Sequence, residues 1–397
     1  MLSLKQTQFK STAEFIKAIN ELLSFYGFES LDTLPKANSR VAKTQAKRGA
    51  KRELQILNMF ERKAASLCKE LVNKYGVASI ENSTQLYAHD DLSKSRKLSC
   101  NYTLHNIAQP DSFSEALLVY AADTIIKKFF TGSNIYVELN SLGDKDSVAK
   151  YMIDMRKFLR RNKKRLAESY VVELQNEDIS KLLVKLHQAK HPILEDAPSL
   201  MDYLSDVAQK HLYSFLDYLD HMNISYGINP YLFGSSDIWR HIIMNVYLQD
   251  KDGNLQLIAQ GGRYDNAAQN LFGLDLSLSS LVFYIEHKGR KTKITAPAKA
   301  KPKKPKVYFM QLGLLAKTQG AKLLQEMQEN KIDVEHSFAE LSLLEQYKLA
   351  HDAGAKYAII LGHKEAIDKV VIVRNLDTQS QKVLKQDELI KHLKKLK

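Results

Sequence analysis

Between His287 and Lys306 the chain reads HKGRKTKITAPAKAKPKKPK, with nine Lys or Arg and no acidic residue. Its three prolines lack N–H donors, its like charges repel, and no apolar period runs through it. Such a stretch buries no face and reads as an extended basic linker. It forces the 397 residues to build at least two separate cores, as their number already favours. The expected organisation is a body over 1–286, a linker over 287–305 and a second domain over 306–397.

Beyond the linker, KVYFMQLG predicts a strand and LLAKTQGAKLLQEMQENK a helix. IDVEHSF follows as a strand, LSLLEQYKLAHDAG as a helix ending at glycine, and KYAIILG and KVVIVRNL as strands. DELIKHLKKLK closes as an amphipathic helix, so this part is a compact α/β domain around a mixed sheet.

Before the linker, FKSTAEFIKAINELLSFYGF has helical spacing, with a strand near Ser30 to Leu34 and a further helix over Lys51 to Tyr75. STQLYAHDD and NYTLHNI can pair as antiparallel strands. SFSEALLVYAADTIIKKFF is a helix, with Ser112 or Ser114 as cap and Gly132 after its end. A helical insertion is expected over about 144–215. NIYVELN, INPYLF, WRHIIMNVYLQD and NLQLIAQG read as strands, the last two joined at Asp252-Gly253. The body is therefore expected to be α+β around an antiparallel sheet, with helices, rather than a parallel nucleotide fold.

The formal net charge is +13. Besides the linker, KANSRVAKTQAKRGAKR (Lys36–Arg52) and RKFLRRNKKR (Arg156–Arg165) carry seven positive charges each and no acid. Three such clusters point to a polyanion partner, tRNA or another structured RNA, against the alternative of solvated surface. In the linker the candidate RNA contacts are Lys299, Lys301, Lys303, Lys304 and Lys306. No secretory signal and no apolar run of membrane-spanning length are seen, so a soluble, cytoplasmic protein without membrane partners is expected. Cys68 and Cys100 form no metal or redox pattern and read as reduced thiols.

In one order the chain carries ELNSLG, EDAP, GINP and GGRYD, then VEHSFAELSLLEQYKLAHDAGAKYAIILGHKE and VIVRNLDTQSQ. Together these resemble the histidyl-tRNA synthetase family, class II. The resemblance covers Tyr87 to Lys397 and, more loosely, Ile16 to Leu34, where the family's motif 1 implies a homodimer. It implies a class II antiparallel body followed by an anticodon-binding domain. It also implies a pocket for histidine and its adenylate, bordered by Gly261, Gly262, Arg263 and Tyr264.

The departures concern charge. Attack on the α-phosphate of ATP builds negative charge that fixed arginines must hold. The ungapped motif 2 comparison puts its arginine on Ala88, although His89 and Arg96 match. The histidine-specific signature LVRGLDYYTH matches LFGSSDIWRH, with Gly234 at the arginine, Asp237 and His241 agreeing, and Ile238 and Trp239 in place of tyrosines. Motif 3 should add an arginine after GGRYD, yet none occurs between Arg263 and Arg290, and a loop resembling RPEGT is missing. Losing one preorganised donor costs about 2.7–4 kcal/mol of transition-state stabilisation. Rescue by Arg240 is not expected, because neighbouring strand residues face opposite ways. Arg263 is then expected to pair with Asp265 or a neighbouring strand.

The expectation is an inactive synthetase-like protein that binds RNA, with no catalytic residue assigned, no metal and no cofactor. The alternatives are an active, divergent histidine–tRNA ligase using ATP and Mg, and the regulatory subunit of ATP phosphoribosyltransferase, whose members usually lack the C-terminal domain.

Overall fold

A computed structural model describes residues 1–3, 7–30, 85–90, 99–107, 109–175, 179–235, 237–273, 275–286, 307–338 and 342–396. The helix expected over Lys51 to Tyr75, Cys68, Arg96 and the linker lysines lie outside these residues. The chain divides into two compact units: Met1–Thr12 with Leu31–Asp220 and Ile224–Lys291, and Ala13–Ser30 with His221–Asn223 and Thr292–Lys397.

Helix α1 (Thr12–Phe25) and strand β1 (Phe28–Ser30) come first. Along α1 the apolar period buries Phe15, Ile16, Ile19, Leu22 and Leu23. The sheet of the first unit is built from β2 (Gln85–Asp90), β3 (Ser99–Ile107), β4 (Asn134–Ser141), β5 (Ser225–Ile228), β6 (Arg240–Gln249), β7 (Leu255–Arg263) and β8 (Leu278–Glu286). Their order is β2-β3-β8-β7-β6-β4-β5. Every pair is antiparallel except β4 with β5. The β6–β7 hairpin turns where expected: Gly253 takes φ +82°, and Asp250 Oδ1 accepts from the Asp252 and Asn254 amides.

Helix α2 (Phe113–Phe129) is buried on all sides from Phe113 to Ile126. Ser112 occupies its N-cap position but makes no side-chain cap bond, and Ser114 lies inside the helix. The capping acceptor is Asp111, whose Oδ1 takes the Phe113 amide at 2.9 Å. Between β4 and β5 lie α3 (Lys145–Arg161), α4 (Glu168–Gln175), α5 (Ile179–Gln188) and α6 (Asp206–His221), with 3₁₀ turns at Lys163–Arg165, Pro192–Asp196 and Leu200–Tyr203. Asp144 caps α3 by accepting from the Ser147 amide at 2.9 Å. One expectation fails: INPYLF is not a strand. Extended pairing ends at Ile228, and Asn229 Oδ1 then accepts from the Tyr231 amide in a turn around Pro230. Helix α7 (Asp265–Phe272) follows β7 and ends at Gly273, φ +69°.

The second unit's sheet contains β9 (Val307–Gln311), β10 (Val334–His336), β11 (Tyr357–Leu361), β12 (Val370–Asn375) and β13 (Gln381–Lys385), in the order β10-β9-β11-β12-β13. It is mixed as expected, with β10-β9-β11 parallel and β11-β12-β13 antiparallel. Helices α8 (Leu314–Glu329), α9 (Leu343–Asp352), α10 (His363–Ile367) and α11 (Gln386–Lys395) complete it. β13 and α10 were not expected from sequence.

Candidate functional site

Strand β7 carries GGR into the middle of the sheet. A Cβ on Gly261 would stand 2.1 Å from the Ser280 carbonyl oxygen, and one on Gly262, φ +145°, 2.3 Å from that of Ile242. Both neighbouring backbones therefore approach β7 too closely for any larger residue. This packing delivers Arg263 to the buried end of the strand at 1% exposure.

Arg263 finds its main partner on α2. Its Nε and Nη2 donate to Glu115 Oε1 and Oε2 at 2.9 and 2.7 Å, a bidentate pair between two buried side chains. Nη2 also donates to Ser114 Oγ at 2.6 Å and to the Asp111 carbonyl at 2.8 Å. The contact with Asp265 exists but is longer, Nη1 to Oδ2 at 3.4 Å. Asp265 Oδ1 instead accepts the Leu278 amide at 2.8 Å. The expected pairing with Asp265 is thus the minor one. Electrostatics agree: burial holds the Asp265 carboxyl above its ordinary range despite Arg263, whereas at Glu115 burial is overcome by Arg263 and His211 and the carboxyl stays well below.

The network extends to two histidines. His211 Nε2 donates to Glu115 Oε1 at 2.8 Å, and its ring stacks on His241, centroids 4.2 Å apart and planes 13° from parallel. Burial, reinforced by the charges of His211, Arg263 and Arg240, drives His241 down to about 3, so its imidazole is neutral near pH 7. Its backbone is held at φ +54° by bonds to the ELNSLG loop: its amide donates to Gly143 and its carbonyl accepts from Leu142. This conformation and the register shift between Arg240 and Ile243 break the strict alternation assumed for β6. Arg240 sits opposite Arg263 in register, half-buried, with its Nε buried and without a hydrogen-bond partner among the described residues.

The remaining candidates are dispersed. Tyr264 is buried and its hydroxyl accepts from Ser280 Oγ at 2.7 Å, with His105 Nδ1 on the same serine at 2.8 Å. Asp237 is exposed on the turn before β6, its carbonyl accepting from Asn270. His89 and Ala88 lie on β2, where Ala88 is buried opposite Leu104. Gly234 packs so closely under an aromatic ring that a Cβ there would stand 2.5 Å from Trp239 Cδ1. Sequence reasoning missed Glu115 and His211. Glu115 had a signal, a lone acid inside the apolar run FSEALLVYAA.

The first unit is an antiparallel-dominated sheet with helices, and the second is a mixed α/β unit. Residues 306–396 match the family described as anticodon binding domain. The chain is similar to the chloroplastic histidine–tRNA ligase of Gracilaria tenuistipitata var. liui, 26% identical over 291 residues, covering 73% of this chain and 68% of that one. The histidine–tRNA ligase of Thermodesulfovibrio yellowstonii is 27% identical over 285 residues, covering 72% and 66%. Among solved structures, the apo histidyl-tRNA synthetase of S. aureus aligns over 98% of both chains with a TM-score of 0.49 and 17% identity. The matches span about two thirds of the relatives' own lengths. The chain is thus similar to histidine–tRNA ligases over about three quarters of its length, and its residues 306–396 match an anticodon binding domain.

Proposed function

We propose that this chain is a cytoplasmic, synthetase-like protein that binds tRNA or another structured RNA and does not form histidyl adenylate. The packing at Gly234 carries the reading. The resemblance requires a phosphate-holding arginine at that position, and the Trp239 ring and Ile243 Cδ1, 2.5 and 3.2 Å from where its Cβ would be, fill the space. Arg263 supports it, being committed through Nε and Nη2 to Glu115 and through Nη1 to Asp265. Adenylation needs cations free to meet developing phosphate charge, and a bidentate buried pair removes one from use. The test is histidine-dependent ATP–pyrophosphate exchange by the purified protein, and the expected outcome is none above background.

A divergent, active ligase using ATP and Mg is the second reading, favoured by Arg240. Its charge is felt at His241 and Asp265, and its Nε is buried with no hydrogen-bond partner among the described residues. Exchange at an ordinary synthetase rate, abolished by Arg240→Gln, would establish that reading and end the first.

RNA binding is assigned to the C-terminal unit, on the strength of its anticodon-binding match, and to the linker. If about five linker lysines meet phosphates, they contribute a slope of roughly −3.5 to −4.5 in log affinity against log salt. Replacing Lys299, Lys301, Lys303, Lys304 and Lys306 with glutamine should flatten the slope by that amount. An unchanged slope removes the linker from the interface. A homodimer is part of the proposal, and sedimentation showing a monomer at micromolar concentration would contradict it.

A further inference from the structure

Three of the four short motifs that mark the family converge on one cavity of about 270 Å³ in the first unit. ELNSLG contributes Asn140, EDAP contributes Glu195, Ala197 and Pro198, and GINP contributes Pro230. None of its lining residues belongs to the Arg263–Glu115–His211–His241 network. The cavity is therefore a separate feature of the same unit, and the phosphate chemistry discussed above makes no use of it.

Its walls are aromatic. Tyr151 and Met155 reach it from α3, and Tyr231 and Phe233 from the turn after β5. His187, from α5, stacks on Phe233 with centroids 4.5 Å apart and planes 12° from parallel. Asn140 stiffens the wall, donating to the Leu232 carbonyl at 3.0 Å and accepting the Ser141 amide at 2.9 Å. Flat aromatic surfaces fixed in this way favour a planar ring as guest.

The polar atoms narrow the choice. His187 is 9% exposed, and neither ring nitrogen has a hydrogen-bond partner of ordinary geometry among the described residues. Burial pulls it down to about 4, opposed by the nearby Pro230 and Tyr231 backbone, so the imidazole is neutral near pH 7. A neutral imidazole presents one donor and one acceptor; the Pro230 and Tyr231 backbone lies beside the donor, and leaving the acceptor unmet in a buried position is costly. A guest that offers an N–H donor satisfies the remaining nitrogen, and a neighbouring acceptor on it competes for the other. Charge adds a further limit: the lining holds the Glu195 carboxylate and no Lys or Arg, so a phosphate or carboxylate guest is disfavoured.

We propose that this cavity binds an uncharged nucleobase, stacked among Tyr231, Phe233 and His187 and hydrogen-bonded to the His187 ring. The base can arrive on a free nucleoside or as an unstacked base of an RNA strand. For the second source, α3 carries Arg156, Lys157, Arg160 and Arg161 along the same helix that supplies Tyr151 and Met155.

The experiment uses the full-length protein and 2-aminopurine fluorescence, which stacking on aromatic rings quenches. Two probes are titrated: 2-aminopurine riboside, and a short RNA hairpin with 2-aminopurine in its loop. Saturable quenching of either supports the cavity. Binding of the riboside marks a free nucleoside as the guest, and binding of the hairpin alone marks an RNA base. His187→Phe keeps the stack and deletes both nitrogens, and should weaken binding about tenfold or more. Ala197→Leu, at a half-buried lining position, fills space and leaves the His187 ring in place, and should weaken it comparably while circular dichroism stays unchanged. The inference is overturned if neither probe quenches saturably, or if both variants bind as the parent does. It is also overturned if the 5′-monophosphate of the riboside binds more tightly than the riboside itself.

Discussion

At the scale of single residues, the consequence of the Arg263 network is a sharp ranking of substitutions. Glu115 takes two bonds from one edge of the guanidinium, whereas Asp265 meets it once at 3.4 Å and has a backbone amide of its own. Removing one member of a fully buried pair strands the other charge and costs about 3–5 kcal/mol. Glu115→Gln should therefore destabilise the first unit by that order, and Asp265→Asn by distinctly less, in urea denaturation followed by tryptophan fluorescence. The assignment of Glu115 as main partner fails if the two variants unfold at the same midpoint. The glycines beside Arg263 were visible in the sequence, but their reason was not. A GG pair reads equally as a pocket edge or a softened strand until Ser280 and Ile242 are seen 2.1 and 2.3 Å from the missing Cβ atoms.

At the scale of elements, most of the fold was legible, because helices and strands with one buried face print their period on the sequence. The exceptions lack that print. β13 buries only Leu384 among QKVLK, and α10 is five residues long, too short for a period. The opposite error befell NPYLF, whose apolar residues line a turn and a cavity instead of a sheet face. Glu115 and His211 come from helices distant in sequence from Arg263, and no local pattern joins them. Capping at the start of α9 was not read from the sequence although it is complete: Ser342 Oγ accepts the Glu345 amide and Glu345 Oε2 accepts the Ser342 amide. Ser342→Ala should cost about 1 kcal/mol in the stability of the second unit. A calorimetric transition that does not move would show that α9 is held by its packing alone.

At the scale of the whole molecule, buried neutral histidines couple stability to mild acid. Burial lowers His187 and His336 to about 4 and His241 to about 3, from an ordinary value of 6.5. In the unfolded chain these rings take up protons first, so their stability contribution is complete above pH 6.5 and is lost as pH falls toward 4. The slope approaches about 1.4 kcal/mol per pH unit for each ring. The first unit contains two of them and the second one, so between pH 6.5 and 5 the first should lose about twice as much. His336→Asn should flatten the dependence of the second unit only, as calorimetry across that range would show. Within that second unit, the His336 ring donates to the carbonyl of Phe25, the last residue of α1. The two are separated by 311 positions. Translation at about 5–20 residues per second therefore releases α1 tens of seconds before β9 to β13 exist. The ribosome thus makes this helix well before the strand that carries its His336 contact.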